Sequence, residues 1–175
     1  MLLANYYQDP TIIRINALPH HSYFIPFAKK DKVDQFAREN SSFFTSLNGE
    51  WQFAYYSSMQ DLPEKISEIP FAEQIHVPSN WQNHGFDTHQ YTNINYPFPF
   101  DPPFIPLENP CGVYQKQLQL NKNPNKRYLL NFEGVDSCLY VYVNQEFVGY
   151  GSISHSTNEF DITDYLHHGE NTLTV

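Results

Sequence analysis

Cysteine is scarce in this 175-residue chain, which has only Cys111 and Cys138. Two thiols close at most one bridge, whereas small secreted scaffolds rest on a framework of several. We therefore expect two free, semi-buried thiols, a reducing compartment and a cytoplasmic location. Glycine is sparse as well, at seven residues. None of them falls in the G-x-G-x-x-G or G-x-x-x-x-G-K order that cradles a phosphate, so nucleotide binding has no support. Basic residues number 10 against 19 acidic ones, a net charge of −9 with a pI near 5.2. Such a surface repels phosphate backbones and anionic headgroups, which argues against nucleic acid and membrane as partners. No apolar run approaches the roughly 18 residues of a spanning helix, and Met1-Leu2-Leu3-Ala4 lacks the basic and long apolar regions of a signal peptide.

What the chain has in quantity is rings and prolines: 14 Phe, 13 Tyr, 2 Trp and 13 Pro, with charged residues at only 17%. Mean hydropathy is −0.53, yet so many rings exclude a disordered polyelectrolyte. The length fits one domain, large enough to need no disulfide or structural metal. From residue 1 to about 45, Pro10, Pro19 and Pro26 break any helix, and the polar stretch Lys29 to Asn40 has room for one short helix. This segment is expected to be an arm wrapping a domain that spans 46–175. Leu47-Asn48-Gly49-Glu50 reads as a turn, and Trp51 to Tyr55 alternates as a half-buried strand does.

Between Val77 and Pro110, prolines 78, 97, 99, 102, 103, 106 and 110 alternate with Trp81, Tyr91, Tyr96, Phe98, Phe100 and Phe104. That composition forbids helix and central strand and predicts a long loop, ordered by its rings and stiffened by proline. Strand patterns return at Tyr114–Leu120, Tyr128–Phe132, Cys138–Val143, Phe147–Gly151 and Phe160–Thr163, with a tight hairpin at Asn144-Gln145. After the turn at His168 to Asn171, alternation has only begun at Thr172–Val175, so the chain is expected to be a piece of a longer protein. Short strands, frequent turns and no 3.6-residue period predict an antiparallel β-sandwich of jelly-roll type.

Chemistry is harder to find. A glycosidase carboxylate pair is defined by its separation, about 5–5.5 Å for retention or about 6.5–9.5 Å for inversion, which spacing along strands does not reveal. Glu108, Glu133, Asp136, Glu159 and Asp161 lie near turns, where capping or solvated carboxylates are ordinary. The eight histidines show no His-Glu-x-x-His spacing, so no metal ligand is assigned. His155 lies between Ser154 and Ser156, but neighbours on a strand face opposite ways and could not act together. The remaining feature is the loop, where Asn80, Trp81, Gln82, Asn83, Tyr91, Asn93 and Asn95 combine apolar ring faces with amides. A pyranose, with one apolar face and several hydroxyls, suits that set, although loop packing explains it equally well.

Val77-Pro78-Ser79-Asn80-Trp81-Gln82, Tyr91-Thr92-Asn93-Ile94-Asn95-Tyr96-Pro97, Pro102-Pro103-Phe104-Ile105-Pro106, Glu108-Asn109-Pro110 and Phe132-Glu133-Gly134-Val135-Asp136-Ser137 together resemble the N-terminal domain of the large β-galactosidases of glycoside hydrolase family two. The resemblance runs from Ile15-Asn16, through Ser46 to Trp51, to Val148-Gly149-Tyr150, Ser156 to Asp161 and Gly169-Glu170-Asn171. It implies a jelly-roll, sugar-binding domain of a retaining enzyme that hydrolyses terminal β-galactosides such as lactose. Both catalytic glutamates would lie on a barrel beyond Val175, so no catalytic residue is expected here. It further implies that Asn93, with Tyr91 as a weaker neighbour, reaches into that barrel to bind the galactosyl unit. The remaining domains of the same enzyme and homo-oligomerisation are the partners implied. Magnesium and sodium would belong to the full-length enzyme, with none bound by this piece; Asp9-Pro10 departs from the Asn-Pro common at a peripheral magnesium site. The alternative reading is a stand-alone carbohydrate-binding module without enzymatic activity, and a third gives the loop an interface role alone.

Overall fold

The computed structural model describes residues 4–33, 36–91, 93, 96, 98–99, 101 and 104–175. Among the described residues, nine strands form an antiparallel jelly-roll sandwich: β1 (Arg14–Ile15), β2 (Gly49–Tyr56), β3 (Glu73–Val77), β4 (Cys111–Leu120), β5 (Leu129–Phe132), β6 (Leu139–Val143), β7 (Glu146–Gly151), β8 (Asn158–Asp161) and β9 (Gly169–Thr174). Seven make one sheet in the order β1-β7-β6-β9-β4-β2-β3, and β5 pairs with β8 in a second.

Alternation sorts the large sheet into two faces. Along β6, Leu139, Val141 and Val143 join Trp51, Phe53, Phe160 and Leu173 in the core beneath the small sheet. Tyr140 and Tyr142 point the other way, into a second core with Tyr150, Val113, Ile66 and Ile69. β6 is buried at all five positions, as expected of a strand covered on both faces. The second face is roofed partly by the N-terminal segment. Tyr6 lies over Tyr140 and Tyr150 at ring distances of 6.2 and 5.6 Å, and the Tyr140 hydroxyl donates to the Ala4 carbonyl at 2.7 Å. Burial pushes the Tyr140 phenol up.

Several sequence expectations need adjustment. The sheet begins before Trp51, because the β1 residues Arg14 and Ile15 pair with Gly151 and Tyr150 of β7. β3 has too short and mixed a pattern to be recognised alone; it forms because β2 supplies a five-residue antiparallel partner. β4 starts at Cys111, three residues before Tyr114, where the proline-rich segment ends. Of the expected strand at Phe160–Thr163, the structure keeps Phe160 and Asp161; Thr163 opens a 3₁₀ turn. There the Asp161 carboxylate accepts the Thr163 N–H at 3.0 Å and draws the backbone out of the ladder. The Asn144-Gln145 hairpin is as read, with φ of 52° and 70° at the two central residues, as a primed turn requires.

The N-terminal segment is also held by ions and hydrogen bonds. Leu18 N–H donates to the Glu159 carbonyl at 2.8 Å, and His21 Nε2 lies 3.0 Å from Glu159 Oε2. The Ser22 carbonyl against Nδ1 and then Glu159 raise the His21 pKa above its ordinary value. A folded pKa raised above the unfolded one contributes stability that is fully present below the unfolded value, near 6.5, and is lost as pH rises through the folded value. The protection of the Leu18 amide should therefore fall as pH rises above about 6.5, and His21→Gln should remove that dependence. A His21 titration midpoint by NMR at or below that of a free histidine peptide would contradict it.

Candidate functional site

The long segment between β3 and β4 leaves the sandwich through a 3₁₀ turn at Trp81–His84 that proline spacing did not foretell. Gly85, at φ 87°, closes it in the left-handed region. The Trp81 ring packs directly over Gly112 of β4: a Cβ built there would stand 2.7 Å from two of its ring atoms. Tyr55 meets Trp81 edge-on at 5.9 Å, and Phe86 meets Phe53 at 5.0 Å. At the exit, Ser58 donates to the Leu107 carbonyl at 2.7 Å and Met59 N–H to the Asn109 carbonyl at 3.0 Å. Both roots of the loop are thus fixed to the sandwich, one by rings and the other by hydrogen bonds.

Between these roots the rings turn outward. Tyr91 is 73% exposed, Tyr96 68% and Phe104 72%. Asn93 occupies an exposed turn, and its Nδ2 donates to the Tyr91 hydroxyl at 2.7 Å. The two residues singled out in the sequence are therefore in contact, and the bond leaves the amide one further N–H and its carbonyl to offer a ligand. Trp81, by contrast, is half-buried, with its ring packed on Gly112 and Tyr55. Asn80 and Asn83 are exposed and Gln82 half-buried; Asn95 lies outside the described residues.

The carboxylates near turns mostly have local work. Glu133 pairs with Arg38, which also donates to the Tyr23 hydroxyl at 2.8 Å. Asp136 accepts from Ser154 at 2.7 Å. Burial opposes ionisation of Asp161, but Thr163 and Arg127 hold its carboxyl below the usual range. Residues 154–156 form a turn rather than a strand, so the opposite-face argument does not hold there. Ser154 is nevertheless turned to Asp136, while Ser156 lies 3.3 Å from His20 Nε2.

The Asp9 carboxylate accepts the N–H and hydroxyl of Thr11 at 2.9 and 2.7 Å. Among the described residues no three His, Cys, Asp or Glu side chains converge as a metal site would need. Cys111 and Cys138 are both free and half-buried. Burial pushes the Cys111 thiol up to about 12 and raises that of Cys138. No helix among the described residues is long and apolar enough to cross a membrane.

Residues 44–175 match the family described as "Glycosyl hydrolases family 2, sugar binding domain". The chain belongs to that family. Within it, the chain is 59% identical over its whole length to a β-galactosidase of Actinobacillus pleuropneumoniae, of which it covers 17%, and 38% identical to one of Staphylococcus xylosus, of which it covers 18%. It thus spans about a sixth of the length of these curated relatives. Among solved structures, a β-glucuronidase of Faecalibacterium prausnitzii superposes with a TM-score of 0.54 at 23% identity, over 74% of this chain and 20% of that one. That likeness speaks for the family 2 sandwich as a fold.

Proposed function

We propose that the chain is the N-terminal domain of a retaining β-galactosidase that hydrolyses terminal β-galactosides such as lactose, with the catalytic glutamates carried by other domains. The observation that carries this reading is the 59% identity, along the entire chain, to a protein named β-galactosidase. In this role the domain donates a loop to the substrate site. Rings at one root and hydrogen bonds at the other fix where the loop leaves the body. Tyr91 positions the Asn93 amide at the exposed tip, and Asn93 hydrogen-bonds the galactosyl hydroxyls. Fixed roots suit a group that must reach into another domain's pocket, because a misplaced donor loses most of its value. Magnesium and sodium are proposed for the full-length enzyme, on residues other than these.

The test is the full-length enzyme with Asn93→Ala. Losing a neutral hydrogen bond to sugar should cost about 0.5–1.5 kcal/mol, roughly a two- to tenfold drop in kcat/KM. Tyr91→Phe, which removes only the acceptor holding the Asn93 amide, should give a smaller drop. Unchanged kinetics in both would reduce the loop to an interface element. The alternative, a stand-alone carbohydrate-binding module, finds less support, since Trp81 is spent on Gly112. It would be revived by sub-millimolar galactose or lactose binding to the chain alone, centred on Tyr91.

A further inference from the structure

Two buried polar atoms have no hydrogen-bond partner among the described residues and belong to neighbouring side chains: Nε of Arg14 on β1 and Oδ1 of Asn158 on β8. β1 belongs to the large sheet and β8 to the small one; Gly151 of β7 brings the two side chains together. Arg14 is directly opposite Gly151 in the β1–β7 ladder. Ser152 N–H donates to the Ile13 carbonyl at 3.1 Å, so by alternation Arg14 and Gly151 form a non-hydrogen-bonded pair. In such pairs the facing side chains come closest, with Cβ positions about 4.5–5.5 Å apart. Glycine has no side chain to fill its half of that space, and Asn158 Oδ1 occupies it: a Cβ built on Gly151 would collide with this oxygen. The Arg14 stem and the Asn158 amide therefore share one face of β7, the face turned to β8.

The surroundings close this space. Asn158 is 1% exposed, and Gly151 is buried. The chain from Arg14 to Leu18 crosses from β7 to β8, held by the Asn16 amide on the Val148 carbonyl at 2.9 Å and by Leu18 N–H on the Glu159 carbonyl at 2.8 Å. Asn158 Nδ2 donates to the Ser156 carbonyl at 3.4 Å, so the oxygen is the end of the amide left over. An enclosed donor and an enclosed acceptor, both unmade, call for a bridging group. We infer that this is a binding site for one water molecule, which accepts the Arg14 Nε–H and donates to Asn158 Oδ1. The chemistry of the pair selects it. The occupant accepts at one end and donates at the other; an anion has nothing to donate to Oδ1, and a cation has nothing to accept from a guanidinium. Water is the smallest species that does both, and two polar partners suffice to hold it. Bound there, it joins β1 to β8 and adds a tie between the two sheets beside the Leu18 and His21 contacts.

The test is a pair of high-resolution crystal structures, of the chain and of its Arg14→Lys variant. Lysine keeps the charge and the apolar stem but has a methylene group where Nε stood. The parent should show density for a single water within about 3.2 Å of both Arg14 Nε and Asn158 Oδ1, and the variant should lose it. No water in the parent, a direct bond between the two side chains, or a water that stays in place in Arg14→Lys would each overturn the proposal. In solution, oxygen-17 relaxation dispersion counts long-lived internal waters. The count should be lower by one in Arg14→Lys, and an equal count refutes the site. If the lysine variant does not fold, Arg14→Met, which also lacks the donor, is read in the same two ways. None of these outcomes bears on the β-galactosidase reading, whose test concerns Asn93.

Discussion

Phe160→Ala destabilises the domain by about 3–5 kcal/mol, the cost of emptying a large, fully enclosed aromatic site. Phe160 is 0% exposed and stands on β8, in the small sheet. Its ring lies flat enough against β7 that a Cβ at Gly149 would come within 2.5 Å of it, and Phe132 meets its edge at 6.2 Å. A two-stranded sheet has little stability of its own, so this ring is a principal link between the two layers. In a chain of this size the loss corresponds to a fall in melting temperature of roughly 6–20 °C, measurable by calorimetry. Gly149→Ala approaches the same contact from the other side and also crowds the Ile15 carbonyl, 2.6 Å from the built Cβ; it should destabilise as well. A loss below about 1 kcal/mol for Phe160→Ala would mean that the layers are held together elsewhere.

The strands legible in the sequence were those whose partners lie close by or whose pattern is strong. β2 alternates over Glu50 to Phe53, β6 is continuously apolar because it has a core on each face, and Asn144-Gln145 supplies its own turn. β1 and β3 were not legible, because each is strand only by virtue of a distant or longer neighbour that supplies its hydrogen bonds. The 3₁₀ turn at Trp81 was hidden for a different reason. Proline and aromatic content excludes long helix, but a single turn needs only a left-handed residue to close it, and Gly85 provides that.

At the candidate site, Asn93 and Tyr91 were reached through resemblance, since exposed loop residues leave no periodicity to read. Their mutual hydrogen bond is information that only coordinates supply. Other motif residues turn out to occupy junctions of the fold. Asn16, at φ 57°, donates through Nδ2 to the Val148 carbonyl at 2.9 Å. Gly149 lies under Phe160, and Asn158 packs on Gly151. These positions are demanding because a Cβ, a longer side chain or a different φ has nowhere to go.

Asn171 is the polar counterpart of Phe160. It is 1% exposed, and its side chain carries four hydrogen bonds. Oδ1 accepts the His167 N–H at 2.7 Å and Asn144 Nδ2 at 2.9 Å, while Nδ2 donates to the His167 and Gly169 carbonyls at 2.9 and 3.2 Å. Asn144 in turn donates to the Tyr165 carbonyl and accepts the Thr172 N–H, so one amide organises the turn into β9 and buttresses the β6–β7 hairpin. Asn171→Leu keeps the size and strands all four partners, which should cost at least about 3 kcal/mol, since each unsatisfied buried group costs about 1–3 kcal/mol. Asn171→Asp separates donor from acceptor. A carboxylate still accepts from His167 and Asn144, but it faces two carbonyl oxygens in a buried site, so its folded pKa rises above the unfolded value. The acid form retains one donor, and its contribution is present below the unfolded pKa and disappears as pH climbs through the folded value. Urea midpoints for Asn171→Asp should therefore drop between about pH 4 and 7 relative to the parent, while those for Asn171→Leu stay offset by a constant amount. If the aspartate variant followed the parent at every pH, the two carbonyls would not be drawing on this donor, and the turn would have to be held by its acceptor bonds alone.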